Sequence, residues 1–239
     1  MKKIHLTILA LVAGIALAGL SSCRFSCVHG SGHQKSEERK VGDFKAISIS
    51  GGFKVILKQD SSFSVRITAD DNLLKYIRTE TDGNRLKVFT RKNMCNTGEM
   101  TVNIGVRDLE ELKASGAVEV ESAGKLTVHD LHFRLSGATK INMELNAANV
   151  TTNGSGVTEL NLRGQASSHN IDLSGSGKVH AFDFVVNTCN IETSGVGHSE
   201  VNVLNTLNVR SSGASEVKYR GNPTIRNDKS GASSIEKAD

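Results

Sequence analysis

Residues with chemical reach are few in this sequence and widely spaced. Four cysteines (Cys23, Cys27, Cys95 and Cys189) and eight histidines supply the soft and imidazole donors of the 239-residue chain. Cys27-Val-His29-Gly-Ser-Gly-His33 holds three metal-type donors, but zinc prefers four ligands and no fourth lies nearby. His129 and His132 sit near one turn and read as solvated turn histidines. Asp172, Asp183 and Glu192 are acids that a polysaccharide lyase or hydrolase could draw on. Hydrolysis needs two carboxylates across a cleft, and their spacing suggests no such cluster. No glycine loop ends in the Lys-Ser/Thr of a phosphate cradle. No catalytic residue, cofactor site or metal site is therefore expected. The three cysteines after Cys23 are odd in number and form no CxxC pair, so no disulfide framework is expected.

Cys23 has a different chemistry. Lys2 and Lys3 precede an apolar run from Ile4 to Leu20, which leads into Ser21-Ser22-Cys23. The run is too short and ends too abruptly for a stable transmembrane helix. It resembles the lipobox of bacterial lipoproteins, in which the cysteine thiol takes a diacylglyceryl group and becomes the new N-terminus. Each buried methylene contributes about 0.8 kcal/mol, so several acyl chains would hold the protein at a membrane. Residues 1–22 then form a signal peptide and 23–40 a polar, flexible tether. Residues 41–239 form a single folded domain. Without the leader, 27 basic residues face 25 acidic ones, too even a balance for a nucleic-acid binder.

The elements that must position any site are announced by repetition. Ser-Gly recurs at Gly116, Gly137, Gly156, Gly175, Gly195, Gly213 and Gly231, at intervals of 21, 19, 19, 20, 18 and 18 residues. An eighth copy, Ser50-Gly51, lies 65 residues before Ser115, a gap that fits about three further periods. Five residues after each Ser comes Val120, Ile141, Leu160, Val179, Val217 or Ile235. In the Ser194 copy a two-residue insertion is needed to bring Val201 to this place. Leu131, Val150, His169, Cys189, Leu207 and Ile225 stand five before. Each unit reads as two period-2 segments joined by Ser-Gly and closed by a turn. Aromatics are only 4% and Pro223 is the sole proline, which suits aliphatic strands that cannot spare an amide donor.

A period near 19 is too short for helix-pair repeats. The expected fold is all-β: a parallel β-solenoid, or β-helix, in which equivalent residues stack in columns about 4.8 Å apart. Cys189 is then a buried free thiol. A charge ladder is expected four residues after each Ser: Glu119, Lys140, Glu159, Lys178, Glu200 (after the insertion) and Glu216. Alternating signs would set register without like-charge repulsion. The glycines serve as repeat corners that can adopt positive φ.

Residues 41–110 follow a looser pattern, either a degenerate continuation of the solenoid or a β cap. Asp70 to Ile77 predicts a helical turn or two capped by Asp70 or Asp71, and Thr81-Asp82-Gly83-Asn84 predicts a turn. Phe44-x-x-Ile47-x-Ile49-Ser50-Gly51-Gly52-Phe53-x-Val55 resembles the opening of the auto-transporter adhesin, head GIN domain family. Asp71-Asn72-Leu73-Leu74-x-x-Ile77, Gly83-x-x-Leu86-x-Val88 and Leu109-x-x-Leu112-x-Ala114-Ser115-Gly116 match its later landmarks. The likeness covers roughly residues 41–235. It implies an exported, lipid-anchored β-helical protein of a Bacteroidetes-type envelope, with no established ligand or catalytic residue.

The function expected is therefore a non-enzymatic envelope protein, an outer-membrane lipoprotein that displays a stiff surface for adhesion to a glycan or protein. A polysaccharide-degrading enzyme and a self-associating assembly module are the alternatives. The partners expected are the membrane through Cys23, a glycan or protein ligand and a second copy of the chain. Nucleic acid is not among them.

Overall fold

A computed structural model describes residues 27–238, so the expected signal peptide and lipid-bearing Cys23 lie outside the described residues. The fold is all-β apart from one 3-10 turn, Leu74–Tyr76. Its strands are β1 (Val28–His29), β2 (Gln34–Arg39), β3 (Ala46–Gln59), β4 (Ser64–Asp70), β5 (Ile77–Asp82), β6 (Arg85–Thr90), β7 (Met94–Cys95), β8 (Thr101–Val106) and β9 (Glu111–Thr127). They continue as β10 (Asp130–Ser211), β11 (Ala214–Arg220), β12 (Thr224–Lys229) and β13 (Ser233–Lys237).

Repetition in the sequence becomes parallel pairing in register. Leu112, Ala114, Gly116 and Val120 of β9 face Phe133, Leu135, Gly137 and Ile141 of β10. Further on, Val209 of β10 faces Asn227 of β12, and Val217 of β11 faces Ile235 of β13. β10 is 82 residues of extended backbone and carries several repeat units. Within it the glycine corners lie one upon another. A Cβ on Gly137 would come 2.6 Å from the Gly116 carbonyl oxygen, and one on Gly156 would come 2.5 Å from that of Gly137. Only a residue without Cβ permits such an approach. Gly137 has φ +87°, whereas Gly213 and Gly231, which complete the stack, are not in the positive-φ region. The odd-offset apolar positions point inward, and Ile141, Leu160 and Val179 are all fully buried.

The eighth Ser-Gly copy overturns the expectation of three intervening periods. Ser50 of β3 pairs directly with Ser115 of β9, so residues 60–110 leave the stack and return to it. On its other side β3 pairs in parallel with β6 through its first half and β8 through its second. Beyond that row the pairing turns antiparallel: β5 on β6, β4 on β8 and β2 on β4. The large sheet is therefore mixed and open, running from β13 to β2. The last row, β12 and β13, is paired on one side among the described residues, and the C-terminal tail forms this row rather than folding over it.

Two expectations for residues 23–40 are corrected. The segment expected to be a flexible tether contributes β1 and β2, and β2 pairs along its whole length with β4. Cys27 and Cys95 form a disulfide across 68 residues, although no disulfide was expected. Counting cysteines hid the pair because the third, Cys189, is a buried free thiol in the core. The 3-10 turn starts from Leu73 with no side-chain cap. Asp71 instead accepts the Ser31 hydroxyl at 2.6 Å, tying the N-terminal segment down.

The Ser194 copy also needs no insertion. His198 faces Glu216, Ser199 faces Val217 and Glu200 faces Lys218. Ser199 takes the inward place and is buried, a small polar residue where the pattern calls for an aliphatic one.

Candidate binding face

Inward columns three and five residues before each Ser fix the direction of the residues between them. Period 2 sends those two and four before the Ser outward. The outer column runs Glu111, His132, Thr151, Asn170, Asn190, Asn208 and Arg226. Its neighbour runs Lys113, Arg134, Asn153, Asp172, Glu192, Arg210 and Asp228. The end pairings, Glu111 with His132 and Asn208 with Arg226, follow this register. From Thr151 to Asp228 the two columns line a groove of about 550 Å³.

Carboxamides zip up the floor of the groove. Asn208 Nδ2 donates to Asn190 Oδ1 at 2.6 Å, and Asn190 Nδ2 donates to Asn170 Oδ1 at 2.6 Å. Each amide still has donor or acceptor capacity to spare. The Arg210 guanidinium stands between Glu192 and Asp228, at 3.7 and 3.6 Å. These exposed pairs contribute about 0–1 kcal/mol each, so a ligand can exchange them at little cost. The groove thus offers alternating donors and acceptors, and no aromatic ring lines it. Apolar periodicity marks the inward columns and leaves these outward ones unmarked. Their signal was the Asn170, Asn190 and Asn208 spacing.

The acids singled out earlier divide. Asp172 and Glu192 share the groove, whereas Asp183 lies outside it. Both are exposed, as is Asp228, the third carboxylate of the groove. The one buried carboxylate among the described residues is Asp70, held by the Gln34 amide at 2.8 Å in the N-terminal region. His132 Nε2 lies 2.5 Å from Asn153 Oδ1, and the exposed His129 pairs with Asp130 at 3.0 Å. Among the described residues no group of three or more His, Cys, Asp or Glu side chains could hold a metal ion. Cys27 is spent in its disulfide.

The ladder residues occupy another outward face. Lys140 faces Glu119 in register and meets Glu159 at 3.3 Å. The Asn161 amide, aided by Lys140, holds the Glu159 carboxyl below its ordinary range. Glu200 is corrected out of the column, because His198 stands opposite Glu216 and its Nδ1 lies 3.0 Å from that carboxylate. Glu200 lies one column over, 2.8 Å from His180 and 3.4 Å from His198. Burial pushes Glu200 upward, but the two histidine hydrogen bonds outweigh it and leave the carboxyl low. Lys178 forms no ion pair within the described residues.

Two ionisable groups lie inside the stack. His169 is buried, 3.1 Å from the Thr152 hydroxyl and edge-on to Phe184, and burial lowers its imidazole to about 3. Burial pushes the Cys189 thiol up to about 12, so it is a poor nucleophile.

Stacked parallel rows with polar outward columns define an all-β protein built on one large mixed sheet. Residues 43–223 match the family described as "Putative auto-transporter adhesin, head GIN domain". The chain belongs to that family. Its fold is shared with a "putative adhesin" from Bacteroides fragilis, with TM-score 0.84 and 22% identity over 88% of this chain and all of the other. A "putative lipid binding protein" from Parabacteroides distasonis has TM-score 0.71 and 20% identity over 90% and 100%. A "putative adhesin" from Parabacteroides merdae has TM-score 0.65 and 22% identity over 89% and 99%. No curated protein matches the chain.

Proposed function

We propose that this chain is a non-enzymatic, lipid-anchored protein of the outer membrane that binds a hydroxyl-rich ligand, a glycan, along the Thr151–Asp228 groove. The stack of rows is read as a parallel β-solenoid, wound at the Ser-Gly corners. Cys23 carries the lipid. The observation behind the binding reading is the hydrogen-bonded ladder of Asn170, Asn190 and Asn208, flanked by Asp172, Glu192, Arg210 and Asp228. A sugar hydroxyl both donates and accepts, so such a row can meet it at successive steps. Rows rigidified by backbone pairing present these groups with little ordering cost.

Exposure of Asp172 and Glu192 leaves them without the apolar surroundings that tune a glycosidase acid. An adhesive role accords with the family description. The test is a glycan and matrix-protein array probed with the mature chain and with an Asn190→Ala/Asn208→Ala variant. Glycan signals that fall at least tenfold in the variant support the reading. Unchanged signals, signals on protein spots alone, or depolymerisation of a bound glycan would overturn it.

A further inference from the structure

The N-terminal end of the stack carries a second surface, unrelated to the groove. Tyr76 ends the 3-10 turn, and the ammonium groups of Lys75 and Lys92 lie 5.1 and 5.0 Å from its ring centroid. Arg91 joins them, its backbone N–H donating to the Tyr76 carbonyl at 2.9 Å. Lys75, Arg91 and Lys92 are exposed, and none has a carboxylate within ion-pair distance among the described residues. Elsewhere Lys45, Lys54, Arg66, Lys87 and Lys140 each sit on an acid. The three cations are thus unneutralised beside a half-buried tyrosine.

Their position gives the cluster meaning. Val28 N–H donates to the Asn93 carbonyl at 2.9 Å, and the Cys27–Cys95 disulfide closes the same corner. Cys27, Val28, Arg91, Lys92 and Asn93 line one cleft. Cys23 lies four residues before Cys27, a reach of at most about 14 Å. An acyl chain on Cys23 would therefore enter the bilayer next to Tyr76, Arg91 and Lys92. Tyrosine favours the headgroup layer, and basic residues near a bilayer are drawn to anionic lipid.

We infer that the Lys75–Tyr76–Arg91–Lys92 surface is a seat for anionic phospholipid headgroups, so the N-terminal end of the stack lies on the membrane. β5 and β6 stand at the opposite end of the stack from β12 and β13, so this seat would hold the groove roughly 20–40 Å above the bilayer, at about 4.8 Å per row. The orienting role rests on the lipid-anchor reading, whereas the headgroup contact does not need the anchor.

The experiment separates the two. The mature chain, unacylated through Cys23→Ser, is sedimented with phosphatidylglycerol/phosphatidylcholine vesicles and with pure phosphatidylcholine vesicles at two salt concentrations. Binding is expected only to the anionic vesicles and is weakened by salt. Each of Lys75→Gln, Arg91→Gln and Lys92→Gln should weaken it about fivefold. A Lys58→Gln/Lys178→Gln control, with charges removed elsewhere, should leave it unchanged. Failure to bind anionic vesicles at low salt, equal binding to neutral ones, or an equal loss in the control overturns the seat. Acyl labelling of the wild-type chain in cells is scored independently. Labelling that fails while vesicle binding persists refutes the anchor and leaves the seat standing.

Discussion

The N-terminal region, residues 27–110, and the rows that follow it are built from different physics. The first packs an almost wholly apolar core, with Phe44, Ile47, Ile67, Leu73, Leu74, Ile77, Leu86 and Ile104 fully buried and Asp70 its one buried polar residue among the described ones. Its strands β2, β4 and β8 meet antiparallel, and a disulfide ties Cys27 to Cys95. The rows bury side chains just as large, Phe133, Phe184, Ile141 and Leu160 among them, but they also bury polar ones: Thr139, Thr152, Thr158, Thr193, Ser199, Ser211 and Ser215. Apart from Asp70, every buried polar residue among the described ones lies in the rows. The rows tolerate them because each unit leans on the backbone pairing of its neighbours, whereas the N-terminal region depends on its own core.

The comparison breaks hardest at the disulfide. Removing the 68-residue cross-link by Cys27→Ser/Cys95→Ser should cost about 4 kcal/mol on chain-entropy grounds. Amide exchange should then accelerate in β1, β2 and β4 while the rows beyond residue 130 keep their protection. Equal acceleration in both would show that the two regions unfold as one.

A smaller effect separates the glycines. Gly137→Ala places a Cβ against the Gly116 carbonyl at positive φ and should cost about 3 kcal/mol. Gly83→Ala, at φ +55° in the β5–β6 turn with nothing within 4 Å, should cost about 1 kcal/mol. Chemical denaturation of the two variants checks the difference. Similar costs would remove the close-stacking argument.

The last contrast is a graded one, a pH dependence that the rows carry through His169. His169 remains neutral in the folded chain down to about pH 3, while an unfolded histidine takes its proton near 6.5. The unfolded state binds more protons in that window, so stability falls as pH drops from 6.5 towards 3. The slope is at most about 1.4 kcal/mol per pH unit. Thr152→Val/His169→Phe should flatten that part of the acid-denaturation profile. An unchanged slope would place the acid sensitivity elsewhere.

Spacing alone made the row residues legible. Ser136-Gly137 over Ser115-Gly116, Ile141 over Val120 and a buried Cys189 all follow from a period near 19, because in-register pairing converts sequence interval into spatial neighbourhood. The same rule failed at Ser199, where a buried serine imitated an insertion, and so misplaced Glu200. The groove lay in the sequence as the outward alternates of columns already recognised. Its carboxamide ladder needed side-chain geometry to be seen.

What the sequence determined by itself is whatever repeats: extended backbone, the inward and outward faces and the glycine corners. A local pattern recurring at a fixed interval has one low-energy way to stack. Tertiary structure alone decided the non-repeating contacts: Ser50 on Ser115, β2 on β4, and Cys27 with Cys95. Each joins residues 26 or more apart at a separation that the repeat interval does not set, and chain-closure cost rises too slowly with length to favour one partner over another. Only the three-dimensional fit of the N-terminal strands against the first row selects them.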